Sequence, residues 1–375
     1  MPFDVSYLSI DSVQEGVGAS QIKMMLFELA KSDLRLNLIT FEKNLPDPQV
    51  SIDFENSGIV WTPMPFKMSG SFGGLKRVYD LQRVVGASNV LHCRSDLPSL
   101  AGILSNQGPV LWDIRSLWKE QRKQMNPSQV NAGVILSLRG IEQYVAKNAI
   151  GMNTLTNAVV PILKNRHKIL PKIASVIPTC VDLKKFAFKP FPIGKFRMLI
   201  SGNLNGNYDV DRLNRFILEI RKLTELEVVW ASDVNISKII PIHDIKVNVG
   251  HDEMPDLVAS SHFGVAILQQ SDLVSLTAAM PTKIAEFLAV GRPVVLNSGI
   301  GDFDHILEKR NAGLTFSPNN ELSEISIELI DLLTNQNTPR ECRKIAEQYF
   351  DISSGAKQYL DIYSKLSSTE RKEVL

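Results

Sequence analysis

The chain has 375 residues, 44% hydrophobic and 22% charged, a length beyond what one hydrophobic core serves and a composition unlike disordered or collagen-like chains. Two domains are therefore expected. The net charge of +1 divides unevenly, with 22 Lys+Arg against 15 Asp+Glu in residues 1–190 and 19 against 25 in the remainder. No basic cluster is interleaved with aromatics, so no nucleic-acid partner is expected.

From the N-terminus, short β-branched runs alternate with amphipathic stretches, the rhythm of a parallel sheet covered by helices. Strands are expected at 5–10, 36–40, 58–62, 90–93, 110–114, 150–154 and 174–177. Helices are expected between them at 18–32, 75–85, 97–105, 128–147 and 158–165. Residues 182–196 contain two prolines and a glycine without apolar period, and are taken as a linker. The pattern then restarts, with strands at 197–200, 227–231, 245–249, 264–268 and 293–296, helices at 209–223, 254–260 and 282–290, and a last helix at 354–366. A frayed tail is expected at 369–375. The fold class is α/β with two Rossmann-like doubly wound domains, whose strand ends are expected to face a cleft that binds ligand.

No segment approaches the apolar length of a membrane span, and residues 1–11 lack the basic and apolar regions of a secretory signal. A cytoplasmic protein is expected. Its basic half fits an anionic membrane surface or an anionic acceptor, or is a dispersed solvated face. Cys93, Cys180 and Cys342 are widely spaced and read as buried thiols rather than metal ligands.

The strongest local signal is Met280-Pro-Thr-Lys-Ile-Ala-Glu-Phe-Leu-Ala-Val-Gly-Arg-Pro-Val-Val. Pro281 suits a helix start, and the first-turn amides with Thr282 and Lys283 form a positive focus for phosphate. Glu286 lies one turn beyond Thr282 on the same face. Ordinary capping with a solvated glutamate would look the same.

This stretch resembles the GT-B glycosyltransferases of family 4, in particular the subset with Ser-Pro-x-Lys-x-x-Glu, Met280 standing where a small residue is usual. Further segments are similar in the family's order. Gly16-Val-Gly-Ala-Ser-Gln-Ile resembles the N-terminal glycine loop, Asp113-Ile-Arg-Ser-Leu-Trp the segment after the fifth strand, Ile177-Pro-Thr-Cys-Val-Asp the end of the first domain, and Ser201-Gly-Asn-Leu-Asn-Gly-Asn-Tyr-Asp the second glycine turn. The resemblance implies an acceptor-binding domain over 1–185, a nucleotide-sugar-binding domain over 186–350, and a C-terminal helix over 351–375 packing back on the first domain. It also implies retaining transfer, without metal or further cofactor, from a UDP- or GDP-linked sugar to a glycan or lipid-linked acceptor in surface polysaccharide synthesis, with peripheral contact at the inner membrane face.

On that reading Glu286 holds ribose hydroxyls and Lys283 stabilises the leaving diphosphate. Gly16 and Gly18 let the acceptor or the donor phosphates approach the backbone, and Gly202, Asn203 and Thr282 bring backbone or hydroxyl groups to the donor. Asp113 acts as general base or orients Arg115. Two departures stand out: Ala278 replaces the family's first glutamate of a Glu-x7-Glu pair, and no Arg/Lys clamp follows Gly202. They keep open an inactive binding relative, with a sugar-nucleotide epimerase as a further alternative. Asp209-Val-Asp and Asp302-Phe-Asp match a metal-binding pattern but sit at helix starts, where carboxylates favour the dipole. His92 reads as a core histidine and His251 as a loop residue.

Overall fold

The computed structural model describes residues 3–16, 18–125, 132–202, 208–231, 244–250, 252–269, 273–308 and 310–373. The chain forms two compact units, Met1–Pro178 with Ile352–Leu375, and Thr179–Asp351.

The first unit is built on strands β1 (Phe3–Leu8), β2 (Leu36–Glu42), β3 (Ile59–Pro65), β4 (Ser88–Arg94), β5 (Val110–Ile114), β6 (Gly151–Thr154) and β7 (Ile173–Val176). They lie in the order β3-β2-β1-β4-β5-β6-β7, every neighbouring pair parallel. Strands β2 and β5 are buried along their whole length, as expected for a sheet covered on both faces. The helices are α1 (Met24–Ala30), α2 (Pro48–Asn56), α3 (Gly70–Val84), α4 (Asp96–Ser105), α5 (Trp118–Met125), α6 (Ala132–Asn148) and α7 (Val160–Arg166). The helix expected over 18–32 opens with a π-helical turn, Gly18–Lys23, before α1. Gly18 is required there because a Cβ would lie 1.7 Å from the Ser12 carbonyl oxygen. The short helix α2 has no strong apolar period and is fixed by its cap, Asp47 accepting from Gln49 N at 2.7 Å with Pro48 at the first helical position.

The second unit repeats the scheme with β8 (Phe196–Ser201), β9 (Leu226–Ala231), β10 (Ile245–Val247), β11 (Phe263–Ala266), β12 (Val294–Asn297) and β13 (Gly313–Phe316), ordered β10-β9-β8-β11-β12-β13 and parallel throughout. Its helices are α8 (Val210–Leu223), α9 (Met254–Ala259), α10 (Leu273–Thr277), α11 (Thr282–Val290), α12 (Phe303–Leu307), α13 (Leu322–Thr334) and α14 (Thr338–Tyr349). Phe216, Trp230, Phe263 and Phe316 lead its core.

Helix α11 is buried from Ile284 through Val290. Gly291, at φ 92°, ends it in the left-handed conformation, and the Gly291 and Arg292 amides close the last turn on Leu288 O and Phe287 O. Its seat against the sheet depends on Gly264 of β11, where a Cβ would fall 2.4 Å from the Phe287 ring. Gly264→Ala is therefore expected to lower stability by about 1–3 kcal/mol through overpacking. Chemical unfolding measures this, and a loss within ~0.5 kcal/mol would show that the ring gives way freely.

Residues 182–196, expected as a linker, belong to the second unit from their first residue. Irregular backbone leaves carbonyls that need donors, and two arginines supply them. Arg292 donates to the Lys189, Pro190 and Ala259 carbonyls at 2.9, 2.8 and 2.8 Å. Arg343 donates to Phe186 O at 3.0 Å and Ala289 O at 2.9 Å, holding the start of this segment alongside α11. The chain then returns to the first unit as α15 (Ile352–Glu373), which continues into the segment expected to fray. Ile352, Ala356, Tyr359, Ile362, Tyr363 and Leu366 recur at helical spacing and are buried, which sustains the helix.

Candidate functional site

In the second unit, the turn after β8 begins at Gly202, whose φ of 108° suits glycine. A side chain there would lie 2.8 Å from the Lys283 amine. Lys283 projects from the first turn of α11 and donates to the Ser201 carbonyl at 2.7 Å and to the Tyr208 hydroxyl. Its ammonium also lies 4.6 Å from the centre of the Tyr208 ring. The start of α11 is thus tied to the end of β8, with a cation beside exposed Gly202.

Glu286 follows one turn later. It is 8% exposed, and no described residue hydrogen-bonds to its carboxylate. Burial raises its pKa to about 7, against the opposing pull of Lys283 and Lys185. Lys185 comes from the segment that Arg343 holds beside α11, and it pairs with exposed Asp252 at 2.6 Å. A buried carboxylate without a partner costs stability, and such groups gather where a ligand completes the hydrogen bonding.

The first unit holds a different arrangement. Strand register places Arg94 beside Asp113 and Asp113 beside Asn153 at the carboxyl ends of β4, β5 and β6, while Tyr7 of β1 lies beside His92. Asp113 is 1% exposed. It accepts from Asn153 Nδ2 at 2.8 Å, and its other oxygen lies 3.2 Å from His92 Nε2 and 3.6 Å from Arg115 Nη1. The His92 contact is close but not aligned as a hydrogen bond. Burial alone would raise the Asp113 pKa, yet Arg115, His92 and Arg94 hold it well below the usual carboxylate range. Burial lowers the His92 pKa and keeps the ring neutral. Helix α15 closes the network, Tyr363 Oη lying 2.6 Å from His92 Nδ1 and Tyr359 Oη accepting from Asn153 at 3.1 Å. Arg94 and Arg115 both donate to Gln21 Oε1 at 2.9 Å, and Arg94 also to Asp11 at 3.0 Å.

The glycine loop of this unit has an anchor that sequence reasoning missed. The buried carboxylate of Glu42, at the end of β2, accepts from the Ser12 hydroxyl, from Val13 N at 3.1 Å, Gln14 Nε2 at 3.0 Å and Thr40 Oγ1 at 2.6 Å. Gly16 follows at φ 57° and is exposed, with open space where a Cβ would be. The signal was a glutamate closing a strand that is otherwise free of charge.

No protein-family model matches the chain, and no curated protein matches it by sequence. Solved structures do. Sucrose-phosphate synthase from Thermosynechococcus elongatus superposes with a TM-score of 0.72 at 12% identity, over 97% of this chain and 99% of that one. HepE from Anabaena, in complex with UDP and glucose, gives 0.69 at 13% identity over 97% and 100%. WaaG, a glycosyltransferase of lipopolysaccharide biosynthesis, gives 0.67 at 14% over 96% and 99%.

The fold is GT-B. Two parallel-sheet Rossmann-like units of seven and six strands meet the sequence expectation for the fold class.

Of the residues that the GT-B resemblance singled out, the second unit brings Gly202, Thr282, Lys283 and Glu286 together around the start of α11. Gly16, Gly18 and Asp113 lie in the first unit. Asn203 and His251 are outside the described residues. No role was read for Tyr208 or Lys185. Tyr208 falls within the segment matched to the second glycine turn, and Lys185 sits in a stretch without period. Asp209 of the Asp-x-Asp pattern caps α8, accepting from Arg212 N at 3.0 Å. Among the described residues no three His, Cys, Asp or Glu side chains gather as a metal site, and no helix is long and apolar enough to cross a membrane. The three cysteines are buried and form no disulfide with one another.

Proposed function

We propose that the protein is a retaining, metal-independent glycosyltransferase that moves a sugar from a UDP- or GDP-linked donor to a glycan or lipid-linked acceptor in surface polysaccharide synthesis. The observation that carries this reading is Glu286, a largely buried carboxylate to which no described residue hydrogen-bonds, one helical turn beyond the amides and lysine that suit a diphosphate. Support comes also from HepE, a structure of the same fold solved with UDP-glucose, and from WaaG, whose role is in lipopolysaccharide biosynthesis.

In this reading Glu286 accepts hydrogen bonds from the two ribose hydroxyls, a bidentate task for which a carboxylate has the lone pairs. Gly202 lets the diphosphate approach the backbone. The first-turn amides of α11, Thr282 and Lys283 take up the charge that develops on the leaving diphosphate. Lys283 already touches Ser201 O and Tyr208, so its amine is held in place before the donor arrives. Lys185 adds the second positive charge that the turn after Gly202 lacks in sequence. The acceptor oxygen bonds to the anomeric carbon on the face being vacated as that carbon's bond to the diphosphate oxygen breaks, the hydroxyl proton passes to the departing diphosphate, and most of the rate comes from positioning and charge stabilisation.

On the acceptor side, the Gly16 to Gly18 loop offers close backbone approach. Asp113 orients Arg115. Its burial and its lowered pKa suit an orienting anion for Arg115 rather than a proton acceptor. The excess of positive charge in residues 1–190 supports peripheral contact with the inner membrane face.

The test is calorimetric titration with uridine and guanosine diphosphates and their sugars. Micromolar binding of one nucleotide is expected, weakened about tenfold or more by Glu286→Ala and by Lys283→Ala, since each removes a charged hydrogen-bonding group. Failure of every nucleotide to bind would overturn the reading and favour a GT-B relative without donor chemistry.

A further inference from the structure

Helix α3 has apolar residues on two faces where the core uses one. Gly73, Gly74, Val78 and Leu81 are buried, as a helix covering a sheet requires. Yet Phe72, Leu75 and Tyr79, spaced three and four residues apart on the outward face, are 82%, 57% and 54% exposed. Single exposed apolar residues need no explanation, but an outward stripe at helical spacing does.

The turn before the helix extends the stripe. Buried Arg77 stacks on Phe66 with 4.3 Å from guanidinium to ring centre and donates to Met68 O at 2.7 Å. Gly73 lets that turn lie against the helix, since a Cβ would meet Met68 O at 2.1 Å. Met68, 47% exposed, is thereby fixed at the start of the helix next to the stripe, with exposed Lys67 beside it.

The charges around the stripe are mostly positive. Lys67, Lys76 and Arg83 are exposed, with Asp80 the one acid between Lys67 and Arg83, pairing with Lys76 at 3.0 Å. Arg83 lies along the Tyr79 ring, 5.3 Å from its centre, and donates to its hydroxyl at 2.5 Å, so the aromatic and the cation reach outward together. Aromatic and aliphatic side chains flanked by long cationic ones suit an interface where rings enter the acyl boundary and cations meet headgroup phosphates. A second copy fits less well, because a two-fold contact on this face would set the same cations against each other.

We infer that the outward face of α3, with the turn at Lys67 and Met68, is the surface by which this protein docks on an anionic lipid bilayer. This rests on the peripheral-membrane part of the proposed function and gives it a location. Binding is interfacial, with Phe72, Leu75 and Tyr79 inserted and Lys67, Lys76 and Arg83 at the headgroups.

The test is flotation of the full chain with vesicles of phosphatidylcholine alone and with about one third phosphatidylglycerol. The wild type is expected to float with the mixed vesicles. Phe72→Ala/Leu75→Ala/Tyr79→Ala should lower the partition coefficient by about tenfold or more, as should Lys67→Glu/Arg83→Glu, with unchanged melting temperature and nucleotide affinity, because all five side chains are exposed. Flotation of the triple variant equal to the wild type would overturn the assignment while leaving membrane contact intact. Absence of wild-type flotation would overturn both. Conversion of a wild-type dimer into a monomer by the triple variant, without an effect on flotation, would assign the face to a second copy instead. Nucleotide titration of the same variants reports the donor site separately.

Discussion

Asp113→Ala is expected to destabilise the protein by about 3–5 kcal/mol, because it removes one partner of a buried ionic network and leaves the others uncompensated. Arg115, 3.6 Å away, and Arg94, one strand over, would face each other across the Gln21 amide, with half-exposed Asp11 the only paired carboxylate left to them among the described residues. Asn153 would lose the nearer of its two acceptors and keep Tyr359 Oη, and His92 would lose the only carboxylate within ion-pair distance among the described residues. Asp113→Asn should cost less, since the amide keeps the volume and an oxygen to accept from Asn153. The pH dependence has a definite sign. The folded-state pKa is depressed, so the stabilisation is present above the ordinary carboxylate value of 3.8 and is lost as pH falls below it. Urea unfolding followed by circular dichroism between pH 7 and about 3 measures both effects. An alanine variant within ~1 kcal/mol of wild type at pH 7 would mean that the cations relax to solvent and that the network carries little.

The alternation of strand and helix was legible because most strands are short apolar runs bounded by turn residues, as parallel sheets need, although β13 was not among the strands expected. Helix α11 was legible for local reasons as well. Pro281, Lys283, Glu286, Gly291 and Pro293 each answer to a position in a helix or just beyond it, and five such positions in order leave few other structures. The Asp113 network was not legible in the same way. Arg94, Asp113 and Asn153 become neighbours only through strand register, and Tyr359 and Tyr363 reach them from a helix more than 200 residues later in the chain. Asn153 gave a faint signal, a polar residue in a buried strand that needs partners. Lys185 gave none, because its place beside α11 is set by Arg343 holding backbone carbonyls, which no side-chain pattern announces. What local chemistry dictates could be read, and what depends on long-range register could not.

Glu286→Gln should separate stability from function at one residue. The folded pKa of Glu286 is about 7 against an ordinary 4.5, so the folded state holds its proton where the unfolded chain has lost it. Below pH ~4 both states are protonated and the group is neutral to stability. As pH rises from ~4.5 to ~7 the unfolded chain ionises first and folding stability falls, and above ~7 the penalty is complete, about 3 kcal/mol at ~1.4 kcal/mol per pKa unit. Glutamine has the same shape and no charge. The variant is therefore expected to be about 2–3 kcal/mol more stable than wild type at pH 8 and equal to it at pH 4, by chemical unfolding at the two pH values. Binding should move the other way. The ribose hydroxyls need an acceptor, so wild-type affinity should rise with pH through about 7 as the carboxylate forms, while Glu286→Gln binds weakly and without that rise. A nucleotide sugar is the right probe, since its diphosphate is esterified at both ends and does not titrate in this range. Greater stability at pH 8 together with lost affinity is the signature of a carboxylate kept buried at a cost for a ligand's sake. Greater stability with affinity unchanged would mark Glu286 as a buried acid that no ligand uses, and the ribose would then be held elsewhere in the second unit.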